Sequence, residues 1–95
     1  MKVLRKKPQQ KWERIEIENT LEALQNEVGG YIETVSFIEN ACLVVNEEGV
    51  FNDLKFNITF LGHQLFGTIL LVGVDGEEFS DIPKELAEFF LEEKK

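Results

Sequence analysis

Cysteine, histidine, tryptophan and proline are all scarce: the 95 residues include one Cys, one His, one Trp and two Pro. The single cysteine, Cys42, excludes an intramolecular disulfide, whereas a domain this small in an oxidising compartment is commonly stapled by several. One Cys and one His cannot assemble a zinc site of the usual four-ligand kind within one chain. A long hydrophobic run is missing too, since the longest mostly apolar stretch, residues 65–74, is about half the length that crosses a bilayer. Residues 1–5 lack the apolar core of a signal peptide. These absences read as a cytoplasmic protein with no membrane partner. Asn57-Ile58-Thr59 has the form of a glycosylation sequon, which without a secretory route has no consequence.

What is present is enough for a core. Hydrophobic residues make up 43% and eight of them are Phe, with 29% charged. That balance argues against disorder and suits one domain over residues 1–95. A chain of this length buries roughly 60–65% of the surface that its unfolded form exposes. The net charge of −8 is unevenly placed. Residues 1–14 carry six bases (Lys2, Arg5, Lys6, Lys7, Lys11, Arg14) against Glu13 alone, while residues 15–95 carry four lysines against seventeen acids. An acidic body repels nucleic acid and anionic membranes at long range, so no direct nucleic-acid binding is expected.

Periodicity organises the chain. Glu13, Ile15 and Ile17 alternate with Trp12, Arg14 and Glu16 after a polar break at Pro8-Gln9-Gln10, which reads as the second strand of an N-terminal β-hairpin with Ile15 and Ile17 facing the core. Asn19 with Glu22 three positions on resembles a capping box, and Leu21, Leu24 and Val28 then fall on one helical face. Gly29-Gly30 ends that helix. Residues 31–38 read as a strand with Tyr31, Glu33, Val35 and Phe37 on one face. Residues 41–45 are apolar throughout, as in a central strand covered on both sides. Asn46-Glu47-Glu48-Gly49 reads as a turn whose glycine supplies a positive φ. Residues 50–64 are ambiguous, with the alternation of Phe56, Ile58 and Phe60 favouring a strand. Residues 65–74 read as one further buried strand and Asp75-Gly76 as a turn. A C-terminal helix opens at Pro83, with Leu86, Phe89 and Phe90 as its apolar face and Glu85, Glu88, Glu92 and Glu93 outside. The order implies an α+β fold of about five mostly antiparallel strands, with the helices on one side of the sheet.

Candidate chemistry is thin. A histidine general base needs a nucleophile or a second titrating group in reach, and nothing near His63 in the sequence supplies one. Cys42 sits in Ala41-Cys42-Leu43-Val44-Val45, the opposite of the electropositive, accessible setting of a reactive thiol. Glu47, Glu48, Asp53, Asp75, Glu77, Glu78 and Asp81 follow no calcium-loop pattern. Gly29-Gly30 follows a helix where a phosphate loop would precede one. The N-terminal cations with Trp12 have the ingredients of a nucleic-acid patch, but lysines on an edge hairpin also guard against sheet-to-sheet aggregation. No catalytic residue, metal ligand or cofactor site is expected.

Two blocks are more distinctive than their chemistry: Thr20-Leu21-Glu22-Ala23-Leu24-Gln25, and Val28-Gly29-Gly30-Tyr31-Ile32-Glu33. With Asn46-Glu47-Glu48-Gly49, Asn57, Gly67-Thr68, Leu71-Val72-Gly73 and Asp75-Gly76-Glu77, they make nearly the whole chain resemble the domain of unknown function 3846 family. The resemblance implies a small protein of phages, plasmids or gut and related bacteria, and it carries no catalytic residue. The chain departs from the pattern after Asn57, where Ile58-Thr59-Phe60-Leu61 is more β-like than the helix-compatible segment that the resemblance implies.

The expectation is a non-enzymatic binding module acting on a protein partner or a small ligand. Its surface is expected at Asn46, Glu47, Glu48, Asp53, Asn57, His63 and Gln64, because recognition residues concentrate on loops held by a rigid sheet. Two other functions stay open. One is an acidic decoy that blocks a nucleic-acid-binding groove, using Glu47, Glu48, Asp53, Glu77, Glu78 and Asp81 in place of phosphates. The other is a small enzyme. Phe89 and Phe90, adjacent and about 100° apart on the last helix, are expected to be hard to bury together and point to a homodimer contact.

Overall fold

The computed structural model describes residues 1–92. The main sheet is antiparallel, in the order β2 (Glu13–Glu16), β1 (Lys2–Lys6), β7 (Ile69–Asp75), β4 (Ala41–Asn46), β3 (Ile32–Ile38), and the short β8 (Glu78–Ser80) pairs with the far end of β7. A separate hairpin is made by β5 (Phe56–Phe60) and β6 (His63–Phe66). The helices are α1 (Leu21–Val28) and α2 (Lys84–Phe90). This is the α+β arrangement of N-terminal hairpin, helix, antiparallel strands and C-terminal helix that the periodicity implies.

The central strands are apolar on both faces, and successive strand side chains point to opposite sides. One side takes Val3, Cys42, Val44, Leu70 and Val72, covered by Leu24 and Val28 of α1. The other takes Leu4, Leu43, Val45, Ile69 and Leu71, covered by Leu65 of the hairpin and Ala87 of α2. Each fully buried Leu, Ile or Val contributes about 1.5–3 kcal/mol, so neither face can be left to water. The two helices therefore lie on opposite faces, not on one side as expected. Two apolar faces need two covers.

Several local expectations are corrected. The N-cap of α1 is Thr20, not Asn19: the Thr20 hydroxyl accepts from the Ala23 N–H at 3.1 Å, and Asn19 instead donates to the Phe79 carbonyl at 2.9 Å. Leu21, at the first turn, is exposed. Gly29 does end the helix in the left-handed region, with φ 81° and its N–H on the Gln25 carbonyl. Gly49 has no positive φ; the loop residue that does is Asp53, φ 55°, and Gly49 is small because a Cβ there would lie 3.1 Å from the Phe66 side chain. Residues 65–74 are two strands, broken at Gly67-Thr68. The ambiguous segment is a strand in its second part: β5 turns into β6 through Leu61 and Gly62, both with positive φ, as two-residue hairpin loops require.

Of the two rings on α2, Phe90 packs inward against Trp12 (centroids 5.5 Å apart, edge-on) and Phe37 (6.3 Å). Phe89 is 76% exposed. Glu85 and Glu92 are exposed and Glu88 partly so, and Glu93 lies outside the described residues. Trp12 is thus a half-buried packing residue. Of the six N-terminal bases, Arg5 is engaged with Glu13 at 3.0 Å and Glu27 at 2.9 Å, and Lys6 with Asn57 at 2.8 Å.

Gly73 marks where β8 crosses close to β7, since a Cβ on it would run into the backbone carbonyl of Asp81. Gly73→Ala is expected to cost on the order of 1–3 kcal/mol through forced backbone displacement. Urea denaturation followed by circular dichroism checks it, and an unchanged midpoint would mean that the β7–β8 approach is looser than described.

Candidate functional site

The candidate surface begins where β4 ends. Asn46 is only 6% exposed. Its Nδ2 donates to the Val28 carbonyl at 3.1 Å, and its Oδ1 accepts from the Glu48 N–H at 2.7 Å. One amide thereby ties the end of α1 to the start of the loop at residues 47–55. Glycine at residue 30 makes room for this amide, because a Cβ there would stand 2.9 Å from Asn46 Nδ2 and one of the two would have to shift. The loop then closes on its own backbone: the Asn52 N–H donates to the Glu48 carbonyl at 2.8 Å and the Leu54 N–H to the Gly49 carbonyl at 3.0 Å. At its tip Phe51 is 86% exposed, beside exposed Val50. A loop pinned at this many points holds an aromatic ring in water.

Beside the loop lies a groove of about 150 Å³, lined by Glu33, Val45, Glu47, Val50, Phe51 and the β6 residues Gln64, Leu65 and Phe66. Two carboxylates stand in that lining, with no base among the described residues that form it.

The expected surface residues divide. Glu47 and Gln64 meet at this groove, with Asn46 beneath it. Glu48 turns to the other side of the loop, into a cleft with Tyr31, Asn52 and the end of α1. Asp53 is exposed in the same loop, and His63 is exposed opposite Phe60 at the turn end of the hairpin. Asn57 is not a surface residue: it is 8% exposed. Its Nδ2 donates to the carbonyls of Lys6 (2.9 Å) and Gly67 (2.8 Å), and its Oδ1 accepts from Lys6 Nζ. It clasps the β5–β6 hairpin to β1. Burial lowers the Lys6 pKa, so the ammonium relies on that partner. Val50, Phe51 and Glu33 complete the surface without having been singled out for it by sequence reasoning; a Phe inside a polar turn between two strands was the available signal.

The six acids of the decoy alternative are not gathered into one row. β4 and β7 run antiparallel, with Ala41 opposite Gly73 and Val44 opposite Leu70. Glu47, Glu48 and Asp53 therefore stand at one end of the sheet, and Glu77, Glu78 and Asp81 at the other. Cys42 is buried, and desolvation raises its thiol pKa. Among the described residues no three His, Cys, Asp or Glu side chains cluster closely enough to hold a metal ion, and no helix is long and apolar enough to cross a membrane.

The structure thus defines a two-faced antiparallel sheet domain with an acidic, aromatic-tipped loop at one end. The model of the family described as a domain of unknown function, DUF3846, matches residues 1–95, and the chain belongs to that family. No curated protein and no solved structure matches it.

Asn57→Ala is expected to destabilise the fold by about 1–3 kcal/mol, because the buried Gly67 carbonyl, the half-buried Lys6 carbonyl and the Lys6 ammonium lose this partner. Gln64→Ala, at an exposed position, is expected to stay within about 0.5 kcal/mol of wild type. Chemical denaturation of both variants checks the contrast, and equal stability would remove Asn57 from its clasp role.

Proposed function

We propose that this chain is a non-enzymatic binding module that engages a protein partner through the loop at residues 47–55, with Phe51 as the anchor. The observation that carries the reading is Phe51 itself, 86% exposed on a loop fixed by backbone bonds and by Asn46. A pre-ordered aromatic costs little conformational entropy on docking, and binding hot spots are typically aromatic residues entering a desolvated pocket. Glu47 and Glu33 in the groove beside it favour a partner whose receiving pocket has a basic rim. The groove beside Phe51 measures about 150 Å³, below the roughly 300–1,000 Å³ of small-molecule sites. That size suits one side chain of a protein better than a free ligand.

Self-association is a separate reading, carried by Phe89. Phe90 is committed to the core, so a two-fold contact on α2 would use Phe89 alone.

One comparison tests both. Cross-linked complexes from the native host are captured with wild type, Phe51→Ala and Phe89→Ala, then identified by mass spectrometry. Partners held by wild type and Phe89→Ala are expected to disappear from Phe51→Ala, and equal capture by all three contradicts the loop assignment. Light scattering at micromolar concentration decides self-association: a mass near 10.9 kDa ends the dimer reading, and twice that mass, lost in Phe89→Ala, establishes it.

A further inference from the structure

The two edges of the main sheet are treated differently. β2 is a guarded edge, with Glu13, Arg14 and Glu16 as three of its four residues, and charges of this kind discourage a passing strand from pairing. β3 is the other edge, and among the described residues it pairs with β4 alone. Its sequence, Ile-Glu-Thr-Val-Ser-Phe-Ile, holds one charge, no lysine and no proline.

The register shows which backbone groups of β3 are unpaired. The Glu47 N–H donates to the Tyr31 carbonyl at 2.8 Å, and the register places Glu33 opposite Val45 and Val35 opposite Leu43. Hydrogen-bonded and non-bonded positions alternate along an antiparallel pair. Tyr31, Glu33 and Val35 therefore spend their backbone groups on β4 and its extension. The N–H and C=O groups of Ile32, Thr34 and Ser36 point away from the sheet. A bulge between Ser36 and Ile38 ends the regular edge there, leaving a ladder at residues 32–36 that no described residue pairs with.

This ladder adjoins the groove already described. Glu33 belongs to β3 and also lines that groove with Glu47, Val50 and Phe51. A strand laid along β3 would present the residue opposite Glu33 on the groove's face, because cross-strand neighbours share a face. Residues two positions away share it as well.

We propose that the β3 edge and the groove form one binding site for an extended peptide segment of a partner protein, which adds to the sheet as an antiparallel strand. Backbone bonds to Ile32, Thr34 and Ser36 supply the pairing. A Lys or Arg of the peptide faces Glu33 and Glu47, and an apolar side chain on the same face enters the groove beside Phe51. Charge selects the occupant, since among the described residues that line the groove no base stands with its two carboxylates. Strand addition of this kind draws affinity from main-chain bonds and specificity from alternate side chains. The inference rests on the loop reading, since it uses Phe51 as one wall.

A displayed library of linear nine-residue peptides, selected on the full-length protein, tests it. Enriched peptides are synthesised and their affinities measured for wild type, Thr34→Pro, Glu33→Lys and Phe51→Ala. Proline at residue 34 removes only the outward N–H, a position that an edge strand tolerates. The expected result is a shared pattern of a basic residue with an apolar residue two positions away, and binding about tenfold or more weaker in Thr34→Pro and in Glu33→Lys. Should Thr34→Pro fail to fold, N-methylation along the peptide gives the same answer with unaltered protein. Methylating one alternate set of amides should abolish binding, and methylating the other set should not. Failure to enrich any peptide overturns the proposal, as does affinity indifferent to Thr34→Pro or to which set is methylated. A wild-type dimer that Thr34→Pro converts to monomer overturns it in favour of a second copy on the edge. Loss of binding in Phe51→Ala with none in Thr34→Pro keeps the loop reading and ends strand addition. The reverse result keeps strand addition and removes Phe51 as the anchor.

Discussion

Leu4, Leu71 and Leu43 meet in a row across β1, β7 and β4 on one face of the sheet, while Val44 and Leu70 pair on the other. The remaining elements are arranged around this two-sided burial. α1 is too short, at eight residues, to cover more than one face. The second face is closed by the β5–β6 hairpin and α2 together. Phe37, Phe60 and Phe90 interlock there, with Phe37 and Phe60 5.1 Å apart and edge-on, a geometry that adds to the area that the rings bury.

Covering both faces leaves polar problems at the margins, and two asparagines solve them. A side-chain amide can donate and accept at once, which lets Asn46 join the end of α1 to the 47–55 loop and lets Asn57 join β5, β1 and the β6–β7 turn. Among the described residues no buried side-chain polar atom is left without a partner. The consequence for function is positional. Both stapled segments lie at the end of the sheet where β4 finishes, and it is there that Phe51, Glu33 and Glu47 are displayed beside an unguarded strand.

The sheet's core was legible because its signal is local. Ala41-Cys42-Leu43-Val44-Val45 can only be a strand covered twice, and the Ile15 and Ile17 alternation fixed the inner face of β2. That the helices take opposite faces follows from the same two-sided run, read to its consequence. The β5–β6 hairpin was half legible: Phe56, Ile58 and Phe60 alternate, but the turn uses Leu61 before Gly62, where Asn or Asp would have announced positive φ. The strand break at Gly67-Thr68 was hidden by unbroken hydrophobicity on both sides. At the candidate site, sequence located the loop but misjudged its amides. Asn46 and Asn57 have the composition of surface residues, and only the long-range partners Val28, Lys6 and Gly67 reveal them as internal. Phe51 fell in the segment that periodicity left ambiguous, and it is informative because nothing among the described residues covers it.

The inferred peptide site depends on β3 presenting an open backbone ladder next to the 47–55 loop. Residue-resolved amide hydrogen exchange on the isolated protein tests it most directly, because protection reports whether an N–H is bonded in the native state. Rapid exchange is expected at Ile32, Thr34 and Ser36, and strong protection at Glu33 and Val35, whose partners lie in β4. Strong protection at all five amides would show the edge already covered and would rule out an open ladder.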